Sequence, residues 1–183
     1  MDSAVAYVAL AEQARGPLPR PVEFSAIWGD ALQEFQREEP QVKVINLETT
    51  ITRSDTPWEG KDVHYKMSPE NGPCLSAAGI DCCALANNHM LDWGVPGLLD
   101  TLATLDKTGI KHVGVGRNLR EAQTPAVLDI GEGRRVIVFS LGSLSSGIPA
   151  EWSALDGRPG VNVMESRPDD PVRSLTQAYT ARL

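Results

Sequence analysis

Two short stretches of this chain gather side chains able to do chemistry. Asn46-Leu47-Glu48 sets a carboxamide and a carboxylate two residues apart, and Asn87-Asn88-His89-Met90-Leu91-Asp92 adds two carboxamides, an imidazole and a carboxylate. Residues i and i+2 of an extended segment point to the same side, so Asn46 and Glu48 can serve one centre. Oxygen donors with one imidazole suit a divalent ion such as Mn, Mg, Fe or Zn. Such an ion could polarise a phosphoryl oxygen and generate hydroxide. His89 could then protonate a leaving oxygen. Asp92, three residues on, could accept the other ring N–H and fix the tautomer.

The same residues also fit a plainer reading. Asn-Asn is common turn and cap chemistry, a histidine beside it is often a satisfied buried group, and Glu48-Thr49-Thr50 could end a strand in solvent. Gly114-x-Gly116 is half a dinucleotide fingerprint, lacking the third glycine and the following acid, and reads as a tight turn from strand to helix. The polar loop around Ser143 holds no G-x-S-x-G elbow. His64 and His112 have no partner at metal-ligand spacing and are expected to be structural or exposed.

The elements around these residues are legible as alternating strands and helices. Residues 2–15 read as an Ala-rich helix, and Pro17, Pro19 and Pro21 make the next stretch a connector. A helix over 30–39 stops at Pro40. Strands are expected at 42–46, 80–86 and 110–115, each short and apolar. Residues 49–67 read as a long polar loop. Ser68-Pro69-Glu70 starts a helix that Gly79 closes. A second helix over 95–107 carries Leu98, Leu99, Leu102 and Leu105 on one stripe and ends at Gly109. A helical piece at 119–122 precedes a hairpin whose turn is Gly131-Glu132-Gly133. Beyond Pro149 the pattern fades. This order predicts a mainly parallel α/β sheet, in which a site forms at the carboxyl ends of the strands, where both stretches fall.

Composition sets the outer bounds. At 183 residues with 42% hydrophobic and 22% charged residues, the chain has enough apolar side chains for a globular core. A net charge of −7 and no basic run exclude nucleic-acid binding by general electrostatics. Cys74, Cys82 and Cys83 show no C-x-x-C spacing, and adjacent Cys82 and Cys83 would point to opposite faces of a strand, so all three are expected in the core. No apolar run is long enough to span a bilayer, and Glu12 and Arg15 interrupt what a leader would need. As written, the expectation is a cytoplasmic protein. A parent carrying a further N-terminal segment could be exported or membrane-associated.

In combination, three blocks resemble the CapA family, the bacterial capsule or poly-γ-glutamate synthesis proteins: VINLETTIT (44–52), CALANNHMLDWG (83–94) and GVGRN (114–118). IWGDAL, YKMSPENGPCL and VIVFSLGSLSSGIP around them agree, and the resemblance covers roughly residues 26–164. It implies an α/β calcineurin-like metallophosphoesterase sandwich (α/β/β/α). It also implies that Asn88 and Glu48 are metal ligands and His89 the acid, with Asp92 beside it and Asn46 and Asn87 lining the site. The implied cofactor is a divalent metal ion, and the implied partner is the machinery of capsule or poly-γ-glutamate synthesis.

The departures shape the expectation equally. The family's opening Gly-Asp-x-Met-x-Gly-Arg block and its closing Ile-His-Trp-Gly and Gly-His-x-x-His blocks have no counterpart here. The domain is therefore expected to be incomplete: a helix and connector over 1–25, a partial CapA-like domain over 26–164 and an irregular tail over 165–183. Two functions follow from this. One is a metal-dependent phosphoesterase-like hydrolase when complete. The other is a non-catalytic accessory or remnant component, because ligand blocks are missing and a partial donor set binds metal weakly.

Overall fold

The structure is a computed structural model that describes residues 10, 12–17 and 22–164. The expected helix over 2–15 lies for the most part outside the described residues, and the tail over 165–183 lies wholly outside them. Among the described residues no helix is long and apolar enough to cross a membrane.

Strands β1 (Val44–Asn46), β4 (Cys82–Ala84) and β5 (Lys111–Val113) form a three-stranded parallel sheet in the order β1-β4-β5. Its register sets Asn46 beside Ala84 and Ala84 beside Val113, so the three strands end level. The central strand is buried on both faces, as its apolar run requires. Cys83 packs into the main core with Leu85, Leu98, Leu102 and Trp152, while Cys82 packs on the other face with Val113, Ala126 and Leu128. All three cysteines are buried and free, as their spacing led one to expect.

Helix α3 (Gly94–Thr108) carries the chain from β4 back to β5. Leu98, Leu102 and Leu105 are fully buried along it, but Leu99 is exposed because it sits about 100° around the helix from Leu98. Gly109 adopts a left-handed conformation at the C-cap, its N–H bonding back to Leu105 and Asp106.

Several expectations shift. The helix expected over 30–39 forms as α1 (Ala31–Glu38), while the one expected from Ser68 is two pieces, a 3-10 turn over Pro69–Asn71 and helix α2 (Pro73–Ala77). Pro73 has no N–H with which to continue the ladder. The supposed polar loop over 49–67 is bounded by two-residue strands, β2 (Thr50–Ile51) and β3 (Lys66–Met67), which pair in parallel. Strand β2 is tied to α3 because the Ile51 N–H donates to Thr101 Oγ1 at 2.9 Å. The helix over 119–122 is α4 (Leu119–Gln123), capped by the Asn118 side chain. The hairpin is antiparallel as expected, pairing β7 (Ala126–Asp129) with β8 (Arg135–Val138).

The largest correction concerns the stretch after Pro149. Trp152, Ala154 and Val161 are buried there. Short strands return to the body of the domain: β10 (Gly160–Val161) pairs with β6 (Val115–Gly116), and β11 (Val163–Met164) pairs with β9 (Gly142–Ser143). These segments are too short to show periodicity, and their core residues are isolated in a glycine- and proline-rich stretch. The fold of the described residues is α/β.

Candidate functional site

The site is built where β1 and β4 end side by side. The Leu47 N–H donates to Ala84 O at 3.1 Å, extending the pairing past the strand ends. Asn87 then works as a strut. Its Nδ2 donates to Asn46 Oδ1 and to Leu47 O, both at 3.1 Å, and its Oδ1 accepts the His89 N–H at 3.0 Å. One side chain thus locks the β1 end to the turn that carries His89, and the Asn87 requirement is for turn geometry as much as for chemistry.

His89 is 7% exposed and held on every side. Its carbonyl accepts from Thr50 Oγ1 at 2.7 Å. Its ring stacks on Tyr65, with centroids 4.0 Å apart and planes 20° apart. Its Nδ1 lies 2.7 Å from Asp92 Oδ2. A carboxylate only accepts, so this contact, shorter than the 3.3 Å from Lys61 Nζ to the same nitrogen, assigns a proton to Nδ1. Nε2 faces Glu48, whose Oε1 is 3.8 Å away. Glu48 is half-exposed and its Oε2 accepts from Asn46 Nδ2 at 3.1 Å. The two residues two apart on the β1 end therefore bond each other, and Glu48 faces the Nε2 edge of the imidazole.

Asp92 is wholly buried, and its oxygens are fully engaged. Oδ2 takes the Tyr65 N–H at 2.7 Å as well as His89, and Oδ1 takes Lys61 Nζ at 2.5 Å. Its backbone carbonyl also accepts the Trp58 N–H at 2.7 Å. Asn88 behaves differently from its neighbours. Its side chain packs beside Gly147, and its backbone carbonyl accepts from Lys61 Nζ at 2.5 Å. The structure thus brings Asn46, Glu48, Asn87, His89 and Asp92 into one network and turns the Asn88 carboxamide toward the 143–147 turn.

Lys61, Tyr65, Trp58 and Thr50 were not legible as site residues. All lie between β1 and α2, in a stretch without periodicity, and no spacing rule links Lys61 to residues nearly thirty positions on. The Gly114-x-Gly116 pair proves to be close packing. Gly114 has φ +92°, and a Cβ there would lie 2.6 Å from Ser140 and 2.7 Å from Ala86; a Cβ at Gly116 would meet the Ala122 backbone at 2.3 Å. His64 bonds the Trp58 carbonyl, and His112 pairs with Asp106, so both are structural.

Among the described residues no group of three or more His, Cys, Asp or Glu is arranged to hold a metal. Both Asp92 oxygens and Asn46 Oδ1 are already spent on hydrogen bonds, leaving Glu48 and His89 Nε2 as the nearest free pair. Two donors do not complete a four- or six-coordinate sphere, so the described residues do not by themselves fit a divalent ion.

The family described as "Bacterial capsule synthesis protein PGA_cap" matches residues 2–182. A Mycobacterium tuberculosis protein named "Probable polyglutamine synthesis accessory protein" is 46% identical over 161 residues, covering 88% of this chain and 42% of that protein. An uncharacterized protein of Sinorhizobium fredii is 36% identical over 126 residues, 65% of this chain and 27% of its own length. The "Capsule biosynthesis protein CapA" of Bacillus anthracis is 32% identical over 63 residues, 34% of this chain and 15% of its own length. The chain therefore spans less than half the length of these relatives.

Proposed function

The chain belongs to the bacterial capsule synthesis family PGA_cap, and on that premise we propose that it supplies the proton-transfer part of a hydrolytic site working in capsule or poly-γ-glutamate production. The observation that carries the proposal is the buried Asp92–His89 pair, which holds the imidazole by Nδ1 and presents Nε2 to Glu48 at the open end of the sheet. Burial and a fixed partner restrict the ring to one orientation and one tautomer. Protonated at Nε2, that ring can give its proton to a leaving oxygen, while Asp92 balances the cation that exists before transfer.

We further propose a phosphoester-type bond as the substrate and a calcineurin-like sandwich as the complete architecture, both from the family likeness. A divalent ion belongs to this proposal only with donors beyond the described residues, so no step is derived through it. Glu48 and Asn88 remain this chain's proposed contribution to such a centre, although Asn88 would have to turn its carboxamide away from Gly147.

The test is hydrolysis of bis(p-nitrophenyl) phosphate by the product of the full reading frame, with Mn or Zn supplied. Replacing His89 with Asn is expected to lower kcat by about 10²- to 10⁴-fold, the usual size of a general-acid contribution. Unchanged turnover in that variant rules the mechanism out.

A second reading has its own support. The mycobacterial relative is named an accessory protein, and the donor set here is short of a full coordination sphere. On that reading the chain assists polymer synthesis without catalysing a step. Capture of the synthesis machinery by a protein with no phosphodiesterase activity would favour it.

A further inference from the structure

We propose that Lys61 is a positioning residue for His89, acting through the two groups on either side of it. This rests on the reading of His89 as the proton-transfer group. One ammonium donates to the Asn88 carbonyl and to Asp92 Oδ1, each at 2.5 Å. Asn88 precedes His89 in the chain, and Asp92 holds its Nδ1, so the same cation grips the backbone and the side chain that aim the ring. Lys61 Nζ lies only 3.3 Å from His89 Nδ1, behind the ring and away from the Nε2 edge that faces Glu48. It is placed to hold the imidazole and not to touch a substrate.

The surroundings make the grip specific. The Asp92 side chain is wholly buried and that of Lys61 only 17% exposed. The ammonium sits 5.4 Å from the centroid of the buried Trp152 ring, which Trp58 packs against edge-on at 5.5 Å. The aromatic wall keeps water from competing for the two bonds. Buried ion pairs contribute little net stability, because desolvation offsets attraction. Fixing geometry is what this pair can supply. It also joins two loops: the stretch after β2 brings Lys61 and the Tyr65 ring to the turn after β4, so the clamp and the stacking face of His89 arrive on one segment. Two acceptors on separate residues, a backbone carbonyl and a carboxylate oxygen, suit a compact ammonium with three rotatable donors; the planar guanidinium fork of arginine is built for parallel bonds to one carboxylate.

The experiment uses the 183-residue chain labelled in its three histidines, with the ring resonances of His89 read by NMR and assigned through His89→Gln. The stacked Tyr65 ring gives His89 a ring-current shift that reports its orientation, and His112, on β5, serves as an internal control. Lys61→Cys is expected to move the His89 signals toward unstacked values while His112 stays put. Alkylating that cysteine with 2-bromoethylamine rebuilds an ammonium of lysine's length and is expected to restore them. The native cysteines do not interfere, being buried with thiols that burial makes harder to ionise. Lys61→Arg keeps the charge if the cysteine variant fails to fold, and it too is expected to shift His89. Unshifted His89 signals in a folded variant, or a shift that aminoethylation does not reverse, overturn the proposal.

Activity gives a separate arm. In the full reading-frame product, Lys61→Cys is expected to lower kcat about 10- to 100-fold with KM little changed, the scale of losing a group that orients a working imidazole, and aminoethylation to recover it. If the unaltered protein is inactive, the hydrolytic reading falls, and the NMR result alone still decides whether Lys61 positions His89. If the unaltered protein is active and Lys61→Cys keeps its kcat, Lys61 is not a positioning residue.

Discussion

Asp92 organises more of the site than any other single side chain. It accepts from His89, Tyr65 and Lys61 while fully buried, and its carbonyl anchors Trp58. Removing its charge leaves a mostly buried ammonium unpaired and turns one acceptor into a donor facing donors. Asp92→Asn is therefore expected to lose about 3 kcal/mol, the low end for breaking a buried pair because Lys61 keeps some solvent contact. Urea unfolding reads this as a lower midpoint with an unchanged slope, and a loss under about 1 kcal/mol would contradict the buried-pair description. The cysteines give a second prediction. Burial pushes the Cys82 thiol up to about 11, against the lowering effect of Lys111, and burial followed by the neighbouring cysteines pushes the Cys83 thiol up to about 12, from an ordinary value of 9.0. Both should resist iodoacetamide at pH 8 until the chain is unfolded. Because the unfolded thiols ionise first, the stability their burial contributes is present below pH 9 and falls away between about pH 9 and 12. Cys83→Ala should flatten that alkaline slope, measured by chemical denaturation at several pH values.

At the scale of elements, the site depends on β1 and β4 ending level and on close packing beneath the turn that follows. Gly114 is the pivot of that packing, since its left-handed backbone and its approach to Ser140 and Ala86 both forbid a side chain. Ser140 Oγ in turn accepts the Ala86 N–H at 3.1 Å, just before the Asn87 strut. Gly114→Ala is expected to cost at least about 2 kcal/mol, combining backbone strain with overpacking. It should also lower any activity of His89 by disturbing the turn, whereas Gly131→Ala, with nothing within 4 Å of its Cβ, should show only the strain. Thermal melts of the two variants compare these terms directly. These packing relations explain what the sequence could and could not say. The β-branched and apolar runs ending at Asn46 and Ala84 announce β1 and β4, and the leucine spacing announces α3. The two-residue strands at Thr50, Lys66 and Gly160 have no pattern to announce them, because their pairing is fixed by tertiary contacts. Trp152 is a lone aromatic among polar neighbours, and only the folded chain reveals it as core.

At the scale of the whole molecule, the sequence located the candidate site because its polar residues cluster at two strand ends, where α/β sheets place their sites. The reach of Asp92 to the His89 Nδ1 followed from their spacing of three, while the approach of Glu48 to that ring depends on β1 and β4 ending level. Lys61 and Tyr65 were not legible, because a loop's path across the sheet end is decided by contacts distant in sequence. The net charge of −7 fits a protein that does not rely on phosphate-backbone attraction, and the described residues supply too few free donors to hold a metal ion alone. The proposed chemistry stands or falls on His89 as a proton-transfer group. The most direct test is phosphodiester turnover by the product of the full reading frame, compared with its His89→Asn variant at equal metal loading. The expected result is a fall in kcat of about 10²- to 10⁴-fold with the fold intact. Equal turnover by the two proteins would contradict it.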